Sequence, residues 1–222
     1  MSDASALSKA ALLERLVAAE DMGSAIRFRA GQTIIQEGDL SNHVVMLRTG
    51  SAKVVTRNAD DVEIILGLRA APEIIGEQAA LNGTPRSASV IALTDVTALA
   101  VSAEDFRTLV AKHPEAAAAV LGIVTERLRE ADQGRLELAT HTVAQRVAER
   151  LVALVPQIGV VDEAAGVVRL PLSQQDLAGW AGASREAVVR TLRLLRDEGV
   201  VTTERRQIVI HDLESLRSKA GD

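Results

Sequence analysis

The chain has 222 residues, of which 47% are hydrophobic and 25% are charged, and its formal net charge is −5. It contains no cysteine, which excludes disulfides, thiolate metal sites, cysteine nucleophiles and a cysteine-ligated iron–sulfur cluster. Aromatic residues are too scarce for a base-stacking platform, no apolar run approaches the ~20 residues of a membrane helix, and the start does not resemble a signal peptide. We therefore expect a cytoplasmic protein without a membrane partner.

The first half of the chain changes from helical to strand periodicity near Ile26. Residues 5–20 place apolar side chains at helical spacing, which predicts an amphipathic helix with Leu7, Ala11, Leu12 and Leu16 on one face. Beyond it, short apolar segments are separated by glycines, a pattern typical of a compact antiparallel roll or barrel. The predicted strand cores are Ile34–Ile35, Val44–Leu47, Val54–Val55 and Ile64–Leu66.

The segment 76–92, GEQAALNGTPRSASVIA, combines one short helical turn with residues suited to binding an anion. Glycines on both sides of the turn allow backbone conformations that a Cβ would hinder. Backbone N–H groups at the start of the turn, the Arg86 guanidinium and the Ser87 hydroxyl can together bind a phosphate. Glu77 is unsuited to a phosphate unless it accepts hydrogen bonds from sugar hydroxyls beside it. The residues suggest a nucleotide site, although a surface hairpin with a stray arginine explains the same pattern.

Two helices are predicted after the strands. Ser102, followed by an acidic first turn, caps the first of them. The second begins after Pro114 and extends from Glu115 to about Glu137. Its apolar residues follow the three-four spacing of a coiled-coil seam, formed by Leu121, Val124, Leu128 and Ala131. The spacing favours a dimerisation helix, with an ordinary amphipathic helix packed on the roll as the alternative.

The C-terminal part begins with a helix and a small hairpin. The helix starts near Thr142 and is predicted to end at Pro156, because proline cannot donate the next helical hydrogen bond. Valines at positions 160–161 and 167–168 flank a polar turn, which predicts two short paired strands.

Two capped helices follow in series, which is the pattern of a helix-turn-helix. Ser173 and Ser184 are positioned as the caps, and Gly182 allows the turn between the helices. Arg185 and Glu186 begin the second helix and Arg190 lies one turn later, where recognition helices reach base edges. Arginine can donate to guanine, and a carboxylate can accept from cytosine. A charged and solvated helix face is the alternative.

After this pair of helices, the β-branched segments Val200–Thr202 and Ile208–Ile210 flank Glu204-Arg205-Arg206 and predict a two-stranded wing with a basic tip. Positive charge is concentrated on one element of this part of the chain. Residues 143–222 carry 11 basic and 11 acidic residues, but 185–196 carry four arginines against one glutamate.

Gly-Glu at 76–77 and Pro-Arg-Ser-Ala at 85–88 resemble the phosphate-binding cassette of cyclic nucleotide-binding domains. Residues 29–39 resemble the opening strands of the same roll. The resemblance implies that Glu77 binds the ribose 2′-hydroxyl and that Arg86 binds the cyclic phosphate. It also implies further ligand contacts at Gly76, Gln78 and Ser87.

LSQQDLA at 172–178 and GASREAVVR at 182–190 resemble the winged helix-turn-helix of the cyclic AMP receptor protein / fumarate-nitrate regulator superfamily of bacterial transcription regulators. The resemblance implies that Arg185, Glu186 and Arg190 read bases and that Ser173 and Ser184 contact phosphates. It further implies a homodimer, a double-stranded DNA target with TGTGA-like half-sites in an inverted repeat, and RNA polymerase as a partner.

Together, the two resemblances imply an α+β protein in three parts. The expected parts are a cyclic nucleotide-binding β-roll domain with an N-terminal helix in residues 1–114, a dimerisation helix in 115–142 and a winged helix-turn-helix DNA-binding domain in 143–222.

The sequence departs from the superfamily where the long helix supplies the side chains that bind adenine. Ala131 and Asp132 occupy these positions; Ala131 has no side-chain hydrogen bond, and an ionised Asp132 can only accept. Asp132 can bind the adenine amino group or the two guanine N–H donors. We expect cyclic AMP as the effector, with cyclic GMP as the alternative, and no metal. A regulator that binds DNA without a ligand and a nucleotide-sensing protein-interaction module remain further alternatives.

The sequence offers no support for catalysis. The four histidines are widely spaced and have no paired ligands nearby, which favours surface or capping roles for His43, His113, His141 and His211. No catalytic triad, P-loop or carboxylate-pair motif is evident, so we do not expect an enzyme.

Overall fold

The computed structural model describes residues 9–40, 42–59 and 61–221, and it has the α+β fold that the sequence predicts. The helices are α1 (Lys9–Ala19), α2 (Glu77–Asn82), α3 (Ala103–Lys112), α4 (Pro114–Thr140), α5 (Val143–Ile158), α6 (Gln174–Ala181), α7 (Arg185–Asp197) and α8 (Leu213–Ala220). The strands are β1 (Ser24–Phe28), β2 (Thr33–Ile35), β3 (His43–Thr49), β4 (Ser51–Arg57), β5 (Glu63–Ala70), β6 (Glu73–Ile75), β7 (Ser89–Ala92), β8 (Val96–Ser102), β9 (Val160–Asp162), β10 (Val167–Leu170), β11 (Val201–Glu204) and β12 (Gln207–Ile210).

The chain divides by packing into two compact units. The first lies within the ranges Met1–Val54 and Leu68–Ala131, and the second within Val55–Gly67 and Asp132–Asp222. The long helix α4 contributes residues to both. The three-part division with boundaries at residues 114 and 142 stays a prediction.

Two four-stranded sheets form the β-roll, with strand orders β1-β8-β3-β6 and β2-β7-β4-β5. All four predicted strand cores lie in strands of these sheets. Val44–Leu47 is buried on both faces of β3 because its side chains alternate between two clusters. Val44 and Met46 pack with helical residues such as Phe106, whereas Val45 and Leu47 line the interior of the roll.

The N-terminal helix exists, but its buried face differs from the predicted one. Ala10, Leu13 and Val17 are buried, whereas the predicted Ala11, Leu12 and Leu16 are only partly covered. Leu7 lies outside the described residues. Helical spacing identifies the helix, but the face that it buries depends on the neighbouring elements.

Helix α4 has two apolar faces. Ala116, Ala119, Val120 and Ile123 are buried in the core of the first unit. Leu121 and Leu128 of the predicted seam are 67% and 59% exposed, so these leucines do not pack on the roll. Within the described residues, no helix is both long and apolar enough to cross a membrane.

The second unit contains α5, the helix-turn-helix and a sheet of order β11-β12-β10-β9. The predicted end of α5 at Pro156 is wrong, because the helix continues to Ile158. Pro156 removes one hydrogen-bond donor, but Ile158 is buried and the Gly159 N–H bonds to the Val155 carbonyl at 3.0 Å. Burial of this last turn therefore outweighs the helix-ending tendency of proline.

Candidate functional site

Two glycines set the backbone of the segment 76–92. Strand β6 ends at Ile75, and Gly76 has φ +83°; α2 then ends at Asn82 and is capped by Gly83, which has φ +66°. Residues with a Cβ rarely adopt such left-handed conformations, and Gly76 also has no room for one beside Arg86. The predicted short helix between two glycines is confirmed.

Arg86 is buried beside this turn, with 4% of its surface exposed. Its Nη1 donates to the Gly76 carbonyl at 2.8 Å, and its Nη2 donates to the His43 carbonyl. Burial lowers the pKa of Arg86, although Glu77 and Asp39 favour its charge. Arginine is so strongly basic that the guanidinium nevertheless stays charged at neutral pH. Burial and the neighbouring Arg86 also lower the pKa of His43, which leaves Arg86 as the cation at this position.

Glu77 is the buried carboxylate of the same segment, with 2% of its surface exposed. Its Oε1 accepts a hydrogen bond from Arg127 Nη1 at 2.6 Å. Its Oε2 is buried and has no hydrogen-bond partner among the described residues. An unpartnered buried oxygen is costly, and a hydroxyl donor from a ligand would satisfy it. The buried cation of Arg86 and the unsatisfied acceptor of Glu77 lie in one short segment, and together they fit a phosphate joined to a sugar.

The structure brings Gly76, Glu77 and Arg86 together and places the other predicted ligand residues at exposed positions. Gln78 and Ser87 are exposed. Asp132 belongs to the second unit, where its exposed carboxylate pairs with Arg135 at 3.0 Å. A role for these three side chains in ligand binding stays a prediction.

Serine caps define the two helices of the second unit. The Ser173 hydroxyl accepts the Asp176 N–H at 3.1 Å, and Asp176 accepts the Ser173 N–H in return, which completes a capping box. The Ser184 hydroxyl accepts the Ala187 N–H at 3.2 Å at the start of α7. Gly182 between the helices has φ +58°, and a Cβ there would lie 2.7 Å from Leu138 Cδ2. The predicted helix-turn-helix is therefore present, with both predicted caps.

The outer face of α7 presents the residues predicted to read bases. Arg185, Glu186 and Arg190 are exposed and line one shallow depression with Val189 and Arg193. The opposite face of the helix is buried. Hydrogen bonds from its own backbone N–H and from Ser184 lower the pKa of Glu186, so its carboxylate is ionised at neutral pH. The face thus offers charged donors and one acceptor at the end of a helix, as major-groove readout requires.

The two halves of the chain match two known domain families. Residues 25–113 match the cyclic nucleotide-binding domain, and residues 145–219 match the Crp-like helix-turn-helix domain. The Cyclic AMP receptor protein of Thermus thermophilus is 32% identical over 172 residues, which cover 77% of this chain and 76% of that protein. The chain belongs to the cyclic AMP receptor protein family. It is accordingly a cyclic nucleotide-binding transcription regulator, as the sequence resemblance implies.

Two further comparisons add a second relative and a solved structure with the same fold. The CRP-like cAMP-activated global transcriptional regulator of Mycobacterium tuberculosis is 28% identical over 195 residues, covering 88% of this chain and 87% of that protein. A solved CRP-family transcriptional regulator from Thermus thermophilus shares the fold with a TM-score of 0.78 and 24% identity, covering 89% of this chain and 97% of the other.

Arg127 links α4 to the cassette of this family member, and no motif of the sequence identifies it. Besides Glu77, Arg127 binds Glu73 Oε1 at 3.0 Å and the Ile74 carbonyl. Burial disfavours its charge, but Glu77 and then Glu73 outweigh burial and raise the pKa of Arg127. Its partners lie 50 or more residues away, so no local spacing identifies it. The available signal was the need of a buried glutamate for a cation.

Sequence analysis also assigned no structural role to Arg146, a buried residue of α5 in the second unit. Its guanidinium donates to the carbonyls of Ala181 at 2.8 Å, His141 at 2.7 Å and Gly182 at 3.4 Å. These carbonyls lie at the ends of α6 and α4, where helices carry unpaired acceptors and partial negative charge. Arg146 of α5 therefore stabilises the turn between α6 and α7 through hydrogen bonds to its carbonyls.

We expect Gly76→Ala to abolish nucleotide binding, whereas Gly83→Ala leaves it intact. Both residues have positive φ, so each substitution should cost about 1–2 kcal/mol of unfolding free energy. Only the Gly76 substitution places a Cβ against Arg86, since no heavy atom of the described chain lies within 4 Å of a Cβ at Gly83 apart from its neighbours in sequence. Denaturant unfolding and calorimetry with cyclic AMP and cyclic GMP measure the two effects. Equal nucleotide affinities for the two variants would contradict the assignment.

We expect Arg146→Lys to destabilise the second unit and to weaken DNA binding. Lysine keeps the charge but cannot reach three carbonyls, and each buried acceptor left unpaired costs roughly 1–3 kcal/mol. Urea unfolding can be followed by the fluorescence of Trp180, the single tryptophan of the chain. It lies on α6, and its ring centroid is 5.1 Å from the guanidinium carbon of Arg150. Arg217→Lys, on the exposed face of α8, is the control and should change little. Indistinguishable unfolding curves for the two variants would show that Arg146 has no such role.

Proposed function

We propose that this protein is a homodimeric regulator that binds cyclic AMP and, in response, reads a TGTGA-like inverted repeat. The observation that carries the proposal is that one segment holds both a buried guanidinium, Arg86, and a buried carboxylate oxygen of Glu77 that has no hydrogen-bond partner within the described chain. The first suits a cyclic phosphate and the second suits the ribose 2′-hydroxyl. A simple anion would use only one of them.

Cyclic AMP is favoured over cyclic GMP by the relatives. The relatives from Mycobacterium tuberculosis and Haemophilus influenzae are named as cAMP-activated. Asp132, at a position where the family binds adenine, can accept the adenine amino group. Its ion pair with Arg135 is exposed and therefore weak, so the carboxylate can exchange that partner for a base. Cyclic GMP, whose guanine offers two donors to the same carboxylate, remains the alternative effector.

The exposed face of α4 supports a dimer. Leu121 and Leu128 lie seven positions apart and are both largely exposed, and the exposed Ala131 follows three positions later, whereas Val124 of the predicted seam packs against the core of the first unit. Large exposed leucines at heptad spacing on a helix of 27 residues are the seam of a two-stranded coiled coil. A dimer places two recognition helices on one DNA, which matches an inverted repeat.

The exposed face of α7 supports direct readout of the half-site. Arg185 and Arg190 can each donate two hydrogen bonds to guanine O6 and N7, and Glu186 can accept from the cytosine amino group. Guanine occurs on the TGTGA strand, and cytosine occurs on the complementary strand. The capping serines, Ser173 and Ser184, lie at helix starts where phosphates are bound. RNA polymerase is the partner that such a regulator would contact once it is on the promoter.

Regulation follows from linkage between the two sites. A nucleotide that binds preferentially to the dimer with correctly spaced recognition helices raises DNA affinity by the same factor. No direct contact between nucleotide and DNA is needed.

We expect Arg185→Ala and Arg190→Ala to relax sequence preference as well as to weaken binding. Each substitution should cost roughly 1–3 kcal/mol on the TGTGA-like site and should abolish discrimination at one base pair. Arg196→Ala is the matched control, because Arg196 lies near the end of the same helix and pairs with Asp197. It should weaken binding to all sequences alike, if at all. Titrations on the palindrome and on single-base variants, at fixed salt, measure the difference. A uniform loss in all three variants would overturn the base-reading assignment.

A further inference from the structure

Arg127 binds two carboxylates of the first unit through different nitrogens. Its Nη1 donates to Glu77 Oε1 at 2.6 Å, whereas its Nη2 donates to Glu73 Oε1 at 3.0 Å and to the Ile74 carbonyl. Arginine commonly binds a single carboxylate through two parallel hydrogen bonds. Here the two terminal nitrogens of Arg127 bind carboxylates of two different residues. Only one oxygen of Glu77 therefore accepts a hydrogen bond from Arg127, and the other oxygen does not.

Glu73 is held in the position from which it accepts the hydrogen bond of Arg127 Nη2. Its Oε1 also accepts the backbone N–H of Ile74 at 2.9 Å, which ties the carboxylate to strand β6. This strand runs directly into Gly76 and Glu77. Three quarters of the Glu73 side chain is shielded from solvent, so its hydrogen bonds are worth more than those of an exposed pair.

Removal of Glu73 changes which pairing is favourable. The Nη2 group would lose its carboxylate partner, while Glu77 Oε2 is buried and has no partner in the described part of the chain. A parallel pair between Arg127 and both oxygens of Glu77 would satisfy both groups. In that arrangement Glu77 has no oxygen left to accept a hydroxyl of the ligand.

We propose that Glu73 is a specificity-determining residue, which holds Arg127 away from Glu77 Oε2 and thereby preserves this oxygen as the acceptor for the ribose 2′-hydroxyl. The inference rests on the proposed function of the cassette and adds a residue outside its motif. Glu73 does not touch the ligand and acts only through Arg127. It decides whether the cassette distinguishes a ribonucleotide from its 2′-deoxy analogue.

The test compares calorimetric affinities for cyclic AMP and 2′-deoxy cyclic AMP. The wild-type protein should prefer cyclic AMP by roughly ten- to hundredfold, since one hydrogen bond to a carboxylate is at stake. In Glu73→Ala the ratio should approach one, because affinity for cyclic AMP falls while affinity for the deoxy analogue is kept. Glu73→Gln retains an acceptor for Arg127 and should keep most of the preference.

Glu130→Ala is the charge-matched control. Glu130 pairs with Arg69 at 3.1 Å, and its removal deletes one negative charge from the first unit while Glu77, Glu73 and Ile74 remain as partners of Arg127. Its ratio should equal that of the wild type.

Three results would overturn the inference, and they are distinguishable. A wild-type ratio that persists in Glu73→Ala refutes the role of Glu73 alone. An equal loss of both affinities in Glu73→Ala shows that Glu73 merely supports the pocket. A wild-type protein that binds neither probe refutes the proposed effector, and the role of Glu73 in ribose recognition with it.

Discussion

The burial of two opposite charges, one in α2 and one beside it, is the constraint on which the rest of the first unit depends. Glu77 and Arg86 are almost completely removed from solvent, and buried charges are unfavourable unless they are paired. The requirement explains why Gly76 has no side chain, since its place is taken by Arg86. It also explains why α4 supplies Arg127 to Glu77. Under the proposed function, the groups that would bind the ligand are in place before it arrives, which reduces the cost of ordering them on binding.

The second unit uses arginines of α5 to join its helices, and one of them, Arg146, is buried. Arg146 satisfies carbonyls at the ends of α4 and α6, and Arg150 joins Glu137 of α4 to Trp180 of α6. Helix α4 therefore carries one residue that binds the nucleotide cassette and another that supports the helix-turn-helix. In the proposed linkage mechanism, an element that contributes residues to both units is where a preference for one state can be shared between the sites.

Local signals in the sequence predicted much of the architecture and the motifs, because glycine turns, serine caps and apolar periodicity act over a few residues. The short helix after Gly76 and the capped pair at Ser173 and Ser184 are examples. The parts that were missed depend on distant contacts. Arg127 and Arg146 bind partners that lie more than 30 residues away in the sequence. The buried face of α1 depends on the core against which it packs, and burial of Ile158 extends α5 beyond Pro156. No spacing rule encodes such contacts.

The coupling proposed for this protein is that binding of a cyclic nucleotide raises its affinity for a palindromic DNA site. Its most direct test is a titration of the protein on a TGTGA-type inverted repeat without nucleotide, with cyclic AMP and with cyclic GMP, at one salt concentration. The account predicts that cyclic AMP tightens binding to the palindrome, that cyclic GMP has a smaller effect, and that neither changes binding to a scrambled site. Equal affinity in all three conditions would contradict the coupling, and a larger effect of cyclic GMP would contradict the assigned effector.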